Sequence, residues 1–177
     1  MTHSIELLLD DAVDRRIRGQ WAAVANAGLP SQADVATETN RPHVTLLAAP
    51  VIDGGAPQVL GPVAMRLPIT CRLGAVVVFG SGSHRTLARL VVPSADLLSV
   101  HATVVRLVTP LLPGGAVPHT APGAWTPHVT IARRMTPDQI SAALDSLDVD
   151  DAAITFTGLR HWDGDAKTER VLSGRDC

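Results

Sequence analysis

Apolar and polar positions follow two different periods along this chain, and the change between them predicts an alternation of strands and helices. Short apolar runs bounded by turn residues predict strands at positions 5–9, 41–49, 69–79, 86–92, 127–132, 154–161 and 170–172. Apolar residues that recur every three to four positions predict helices at positions 11–27, 94–112 and 136–147. The segment 53–62 is rich in Gly and Pro, which predicts a loop with at most one helical turn.

The strongest hairpin signal is the run Gly-Ser-Gly-Ser at 80–83, which lies between two predicted strands. Two glycines at this spacing also occur in phosphate-binding loops. Those loops continue into Lys-Ser/Thr and a helix, whereas this run leads into a strand. We therefore predict a turn here and not a phosphate loop.

The sequence Pro-His-Val-Thr occurs twice, at 42–45 and at 127–130, and apolar residues follow each copy. The two histidines, His43 and His128, are 85 positions apart. Each lies in a strand that follows a helix and precedes another hairpin or helix, so the two halves look like loose copies. This order predicts an α+β fold with mainly antiparallel pairing, in a chain of 177 residues that has the length of one domain.

Composition and charge exclude several classes of protein. The formal net charge is −2 and no run of Lys or Arg occurs, so a protein that grips long nucleic acid through many phosphates is not expected. Two cysteines, Cys71 and Cys177, are too few for a disulfide framework. No stretch approaches the ~20 apolar residues of a membrane span, and acidic residues around the first apolar run argue against a signal peptide. We expect a cytoplasmic protein that makes no membrane contact.

Geometry separates the His-x-Thr triplets of the chain, of which there are four: His43/Thr45, His84/Thr86, His101/Thr103 and His128/Thr130. On a strand, side chains two positions apart share a face, whereas on a helix they diverge. His101 lies inside a predicted helix, and His84 follows a hairpin tip where a solvent-facing histidine is ordinary. Only His43 and His128 begin apolar strands, so these two are the candidates for shared chemistry.

Two histidines that face each other across a cleft can act as general base and general acid near neutral pH. Two threonine hydroxyls beside them can donate to the oxygens of a tetrahedral anion. A metal site in which His119 or Asp163 joins the pair is an alternative, but catalytic zinc uses three protein ligands and the spacing here is loose. Nucleophilic catalysis has no supporting motif, because G-x-S-x-G is absent and Cys71 lies inside a predicted strand.

These two motifs, P-H-V-T-L and P-H-V-T-I-A-R, one in each half of an α+β chain, resemble the 2H phosphoesterase superfamily in its 2′-5′ RNA ligase-like branch. The resemblance implies one domain over 1–177, made of two pseudo-twofold-related lobes with antiparallel sheets and flanking helices. The motif strands at 41–49 and 127–132 would line an active-site cleft between the lobes. It also implies metal-independent opening of a 2′,3′-cyclic phosphate or a related phosphodiester.

Carried over by position, the resemblance makes His43 and His128 the acid–base pair and makes Thr45 and Thr130 the donors to phosphate oxygens. Some family members have an arginine shortly after the second motif, which makes Arg133 a candidate contact for the anion. Strict alternation along a strand, however, would direct Arg133 away from the histidine and threonine of its own motif.

The base of a nucleotide substrate would need an aromatic surface, and aromatic residues are scarce in this chain, which has no Tyr. Trp125 and Trp162 are the candidates to stack on a base, although a tryptophan is more often part of a core.

The sequence thus predicts a phosphodiesterase that opens 2′,3′-cyclic phosphates of small nucleotides or RNA ends. His128 is assigned as the base that activates water, and His43 as the acid that protonates the leaving ribose oxygen. The alternatives are 2′-5′ ligation of RNA at the same site, or a non-catalytic module that binds phosphorylated ligands. The expected partner is a small nucleotide or an RNA end, bound without cofactor or metal by a monomer that has no long nucleic-acid surface.

Overall fold

The computed structural model describes residues 2–82 and 84–174, so the last residue of the predicted turn at 80–83 and Cys177 lie outside it. The described chain contains seven strands, four α-helices and two short 3₁₀ helices at Gln32–Asp34 and Thr109–Leu111. In chain order the elements are β1 (His3–Leu9), α1 (Asp11–Asn26), β2 (His43–Ala49), α2 (Ala56–Ala64), β3 (Ile69–Phe79), β4 (Arg85–Val92), α3 (Ala95–Val108), β5 (His128–Met135), α4 (Pro137–Ser146), β6 (Ala152–Asp163) and β7 (Thr168–Ser173). Every predicted strand and helix is present.

All strand pairs are antiparallel, and the pairing repeats in the two halves. β1 lies between β2 and β6, and β4 lies between β5 and β3 in the same way. Two pairings join these three-stranded groups: β2 pairs with β5, and β3 pairs with β6. The last strand, β7, extends the sheet beside β6. The α+β fold with antiparallel sheet and flanking helices is therefore confirmed.

Helices α1 and α3 cover the sheet with their apolar faces, as the helical periodicity predicts. Val24 of α1 and Val104 of α3 are completely buried. Both helices begin at a side-chain cap: the Asp10 carboxylate accepts the first free N–H groups of α1, and the Ser94 hydroxyl accepts an N–H of α3. In the described part of the chain, no helix combines the length and apolar character that crossing a bilayer would require.

The segment predicted to be a loop at 53–62 forms the helix α2 instead. Pro57 lies in its first turn, where a missing N–H costs nothing. Ala56, Leu60 and Val63 are buried against the rest of the core. The packing of this apolar face outweighs the low helix propensity of the glycines and prolines, and propensity alone could not predict that.

A β-bulge interrupts each motif strand directly after its threonine. The register of β2 against β1 leaves Leu46, which follows Thr45, as an extra residue. The register of β5 against β4 leaves Ile131, which follows Thr130, as an extra residue in the same way. Because a bulge adds one residue to one strand, it reverses the faces to which the side chains after it point, up to the next irregularity of the strand, which in β5 lies between Ala132 and Met135. The side-chain direction directly after each motif is therefore the opposite of that predicted by strict alternation.

Arg89 is a fully buried arginine at the centre of β4. Its Nε donates to the carbonyl oxygen of Gly74 in β3 at 3.0 Å. Its two terminal nitrogens donate to the carbonyl oxygens of Asp148, Val149 and Asp150, at 2.9–3.1 Å. One side chain thus holds the loop between α4 and β6 against the sheet.

Candidate active site

The two motif strands meet at a single residue pair, Val44 of β2 opposite Val129 of β5. Both valines are completely buried. In an antiparallel pair the neighbours of this contact lie across from one another, so His43 lies beside Thr130 and Thr45 beside His128. All four side chains point to the face opposite the valines. The structure thus brings the predicted histidines and threonines together at one place.

Both motif histidines have the same backbone anchor. The Nδ1 of His43 lies 2.7 Å from the carbonyl oxygen of Arg41, and the Nδ1 of His128 lies 2.8 Å from the carbonyl oxygen of Thr126. A carbonyl oxygen can only accept, so each Nδ1 carries a hydrogen and donates it. The anchor therefore fixes the ring orientation and leaves each Nε2 to exchange a proton with a ligand.

A tryptophan side chain hydrogen-bonds to the backbone of each motif strand. The indole N–H of Trp21 donates to the carbonyl oxygen of Thr130, and that of Trp125 donates to the carbonyl oxygen of Thr45, both at 2.9 Å. Trp125 also stacks on the ring of His101, with ring centroids 3.9 Å apart. One face of this indole is therefore covered and its N–H is occupied, so Trp125 supports β2. Its role in stacking on a base stays a prediction.

His101 belongs to the interior, as its position in a helix predicts. It is buried, and its Nε2 lies 2.9 Å from the carbonyl oxygen of Thr120. Burial lowers the pKa of His101, and the hydrogen bonds to backbone carbonyls oppose that only in part. His84, which belongs to another of the four His-x-Thr triplets, is exposed directly before β4.

A cavity of about 390 Å³ opens beside His43. Of the predicted site residues, His43, Thr45 and Arg133 line it. Thr130 lines a smaller neighbouring cavity together with His43 and Arg133. Trp162, which the sequence offered as a second candidate for base stacking, lies in the wall of the larger cavity.

The predicted direction of Arg133 is wrong, because the bulge at Ile131 reverses the alternation. With one residue inserted after Thr130, Arg133 lies on the same face as the motif side chains. It reaches the cavity beside His43, and its charge also acts on His128. In the first half the matching bulge brings Ala48 to the cavity wall. Of these two equivalent positions, three residues after each motif threonine, only the one after the second motif holds an arginine.

A buried ion pair beside His43 is the main feature that the sequence did not predict. Glu6 and Arg160 are both buried, and the Arg160 Nε donates to Glu6 Oε2 at 2.7 Å. The Ser4 hydroxyl donates to Glu6 Oε1 at 2.5 Å, and this oxygen lies 3.5 Å from Nε2 of His43. The available signal is a glutamate inside the otherwise apolar run at 5–9.

The pKa of Glu6 lies below its usual range. Burial raises this pKa, but the positive charges of His43 and Arg160 and the hydrogen bonds from Ser4 and Arg160 outweigh the effect of burial. Glu6 is therefore ionised near neutral pH. Arg160 makes a second ion pair with Glu169, at 2.8 Å.

His128 lies in a different environment. Its ring packs against Phe79 with 4.4 Å between ring centroids. Burial lowers the pKa of His128, the hydrogen bond to the carbonyl of Thr126 opposes this, and the charges of Arg133 and His43 lower it further. His128 is therefore held in its neutral form, in which Nε2 can accept a proton.

The residues of the metal alternative are not brought together. His119 is exposed in the loop that precedes β5, and Asp163 lies 3.5 Å from Nε2 of His3. Within residues 2–82 and 84–174 no group of three His, Cys, Asp or Glu side chains is arranged to hold a metal ion. Cys71 is buried in β3 near the Ser94 hydroxyl.

Comparisons with known proteins agree with this architecture. The family model of the 2′-5′ RNA ligase superfamily matches residues 11–167. The structure of Usb1 from Kluyveromyces marxianus superposes with a TM-score of 0.55 at 14% identity, covering 97% of each chain. The apo form of E. coli LigT gives a TM-score of 0.56 at 14% identity, covering 97% of this chain and 93% of LigT. No curated protein matches the chain at a significant level of sequence similarity.

Proposed function

This chain belongs to the 2′-5′ RNA ligase superfamily, as its two motifs predict, and from that premise we propose that it opens 2′,3′-cyclic phosphates by acid–base catalysis. The observation that carries the proposal is the matched anchoring of two histidines across one strand pair. Each has its Nδ1 held by a carbonyl two residues earlier. Each has a threonine of the other strand beside it.

In the proposed reaction a water molecule attacks phosphorus in line with the leaving ribose oxygen. His128 Nε2 takes a proton from the water, because this histidine is kept neutral at rest. The bond from phosphorus to the ribose oxygen breaks, and His43 Nε2 delivers a proton to that oxygen. Thr45, Thr130 and Arg133 donate to the phosphate oxygens, whose negative charge grows in the transition state.

The cavity beside His43 suits the nucleoside of a small substrate. Its volume of about 390 Å³ lies in the range of small-ligand sites. Trp162 in its wall offers a surface on which a base can stack. Related folds bind ligands of this size: one solved structure is Usb1 with uridine monophosphate, and another is E. coli LigT with 3′-AMP. We therefore propose a mononucleotide or a short RNA end as the substrate.

The direct test is the turnover of a 2′,3′-cyclic mononucleotide by the purified chain. Formation of a nucleoside monophosphate supports the proposal. Joining of RNA halves in place of hydrolysis would assign the ligation reaction to the site. Binding of the nucleotide with no turnover at any pH would make the chain a non-catalytic module and remove the proposal.

The pH dependence of kcat/KM should be bell-shaped, with the acidic limb below the ordinary histidine value of about 6.5. The base works only when it is unprotonated, and the lowered pKa of His128 moves its loss of activity to lower pH. Activity should persist in EDTA, because the proposed steps use side chains alone. Inactivation by EDTA with recovery on adding zinc would contradict this mechanism.

Substrate length should matter little. Three arginines line the cavity beside His43, namely Arg41, Arg133 and Arg160. Two of them, Arg41 and Arg160, form ion pairs with Glu169. We expect a shallow dependence of log K on log salt, with a slope of about −0.7 per phosphate neutralised and one to three phosphates in total. The measurement is KM for a cyclic mononucleotide and for a long RNA with the same end, over a salt series. A far lower KM for the long RNA, with a steep salt slope, would reveal an extended RNA surface.

A further inference from the structure

The two halves of the chain differ at one pair of equivalent positions beside the motif threonines. In β1, Glu6 stands opposite Thr45. In β4, the residue that stands opposite Thr130 is Ala88. Both positions are buried. The pseudo-twofold pairing is therefore broken at this point, and a carboxylate accompanies His43 while none stands at the matching position beside His128.

His43 lies among positive charges. A terminal nitrogen of Arg160 is 3.4 Å from its Nδ1, and both Arg133 and Arg41 line the same cavity. His128 faces it from β5 and interacts with it electrostatically. Positive charges suit a phosphate site, but each of them also disfavours a second proton on His43. A nearby negative charge opposes this effect and favours the charged form that a histidine needs to act as a general acid.

Glu6 supplies that charge at short range. Its Oε1 lies 3.5 Å from the Nε2 of His43, the ring nitrogen that is not hydrogen-bonded to the carbonyl of Arg41. Hydrogen bonds from Ser4 and Arg160 hold the carboxylate in place. Because both carboxylate oxygens already accept a hydrogen bond, the carboxylate stays fixed beside His43.

We infer that Glu6 is a positioning residue whose carboxylate faces Nε2 of His43 and so makes His43 the proton donor of the pair. In the other half, Ala88 occupies the position equivalent to Glu6 and carries no charge, which leaves His128 as the proton acceptor. The catalytic consequence rests on the proposed function. The contact between Glu6 and His43 does not depend on it, because that contact exists in the protein without a ligand.

The test is an NMR titration of the His43 ring in the unmodified protein and in the Glu6→Gln variant, without substrate. Removal of an opposite charge at this distance is expected to lower the midpoint of the His43 titration by about 1–3 pH units. The alkaline limb of the kcat/KM profile for a cyclic mononucleotide should move to lower pH by the same amount, because that limb follows the loss of the proton from the acid.

Glu169→Gln is the matched control. Glu169 is the other carboxylate partner of Arg160, and its ion pairs are to Arg160 and Arg41. This variant makes the same change of charge and disturbs the same arginine, but it leaves the Glu6–His43 contact in place. The His43 midpoint should move by less than a third of the shift in Glu6→Gln. Equal shifts in both variants would overturn the inference, as would an unchanged midpoint in Glu6→Gln.

A measurement on the unmodified protein decides the matter if Glu6→Gln does not fold. The side-chain carboxyl carbon of Glu6 should show a step in chemical shift at the midpoint of His43, because the two groups are coupled. Its absence would overturn the inference. Failure of the protein to open cyclic phosphates would instead remove the proposed function, while the NMR midpoints would still decide the role of Glu6.

Discussion

Replacement of either His43 or His128 by alanine is expected to lower kcat for opening of a 2′,3′-cyclic mononucleotide by about 10²–10⁴-fold, which corresponds to about 2.7–5.5 kcal/mol of barrier. Each substitution removes one proton transfer from the transition state. The double variant should be only slightly slower than the single ones, because both histidines act in the same step. The measurement is single-turnover kinetics at the pH optimum of the unmodified protein.

His119→Asn serves as the control for this pair. His119 is exposed in a loop, lies outside the lining of the cavity and has a positive φ of 68°. Asparagine tolerates that backbone conformation, which alanine does not. Activity should be unchanged in this variant. Retention of substantial activity in His43→Ala or in His128→Ala would rule out the two-histidine mechanism.

Arg89→Met is expected to have the largest effect on stability, about 3–5 kcal/mol in the free energy of unfolding. Methionine fills most of the space but donates nothing. The carbonyl oxygen of Gly74 loses its bond from Arg89 in the interior, and the carbonyls at 148–150 lose the donors that fix their loop. The measurement is urea unfolding at equilibrium, where the midpoint should fall at nearly constant slope.

The matched control for this substitution is Arg72→Met on the neighbouring strand. Arg72 is exposed and pairs with Asp151 at 2.7 Å. A surface ion pair contributes about 0–1 kcal/mol, so this variant should unfold close to the unmodified protein. If Arg89→Met were no less stable than Arg72→Met, the bonds of Arg89 to the loop would have no structural importance.

The pattern of side chains by itself determined most of the secondary structure. Strand and helix periods depend on neighbouring residues only, which is why β3, at positions 69–79, has the bounds that its apolar run predicts. The same local geometry selected His43 and His128 from the four triplets, because a strand places i and i+2 on one face. Their convergence was expected from the internal repeat, and the sheet pairs Val44 with Val129 beside them.

Only the tertiary structure decided which side chains accompany those histidines. A β-bulge belongs to a pair of strands, so the direction of Arg133 could not be derived from β5 alone. The helix α2 forms because its apolar face has a core to pack against. Glu6 and Arg160 are 154 positions apart in sequence. Their pairing depends on β1 and β6 being neighbours in the sheet, and a contact between distant segments leaves no periodic signal in the sequence of either one.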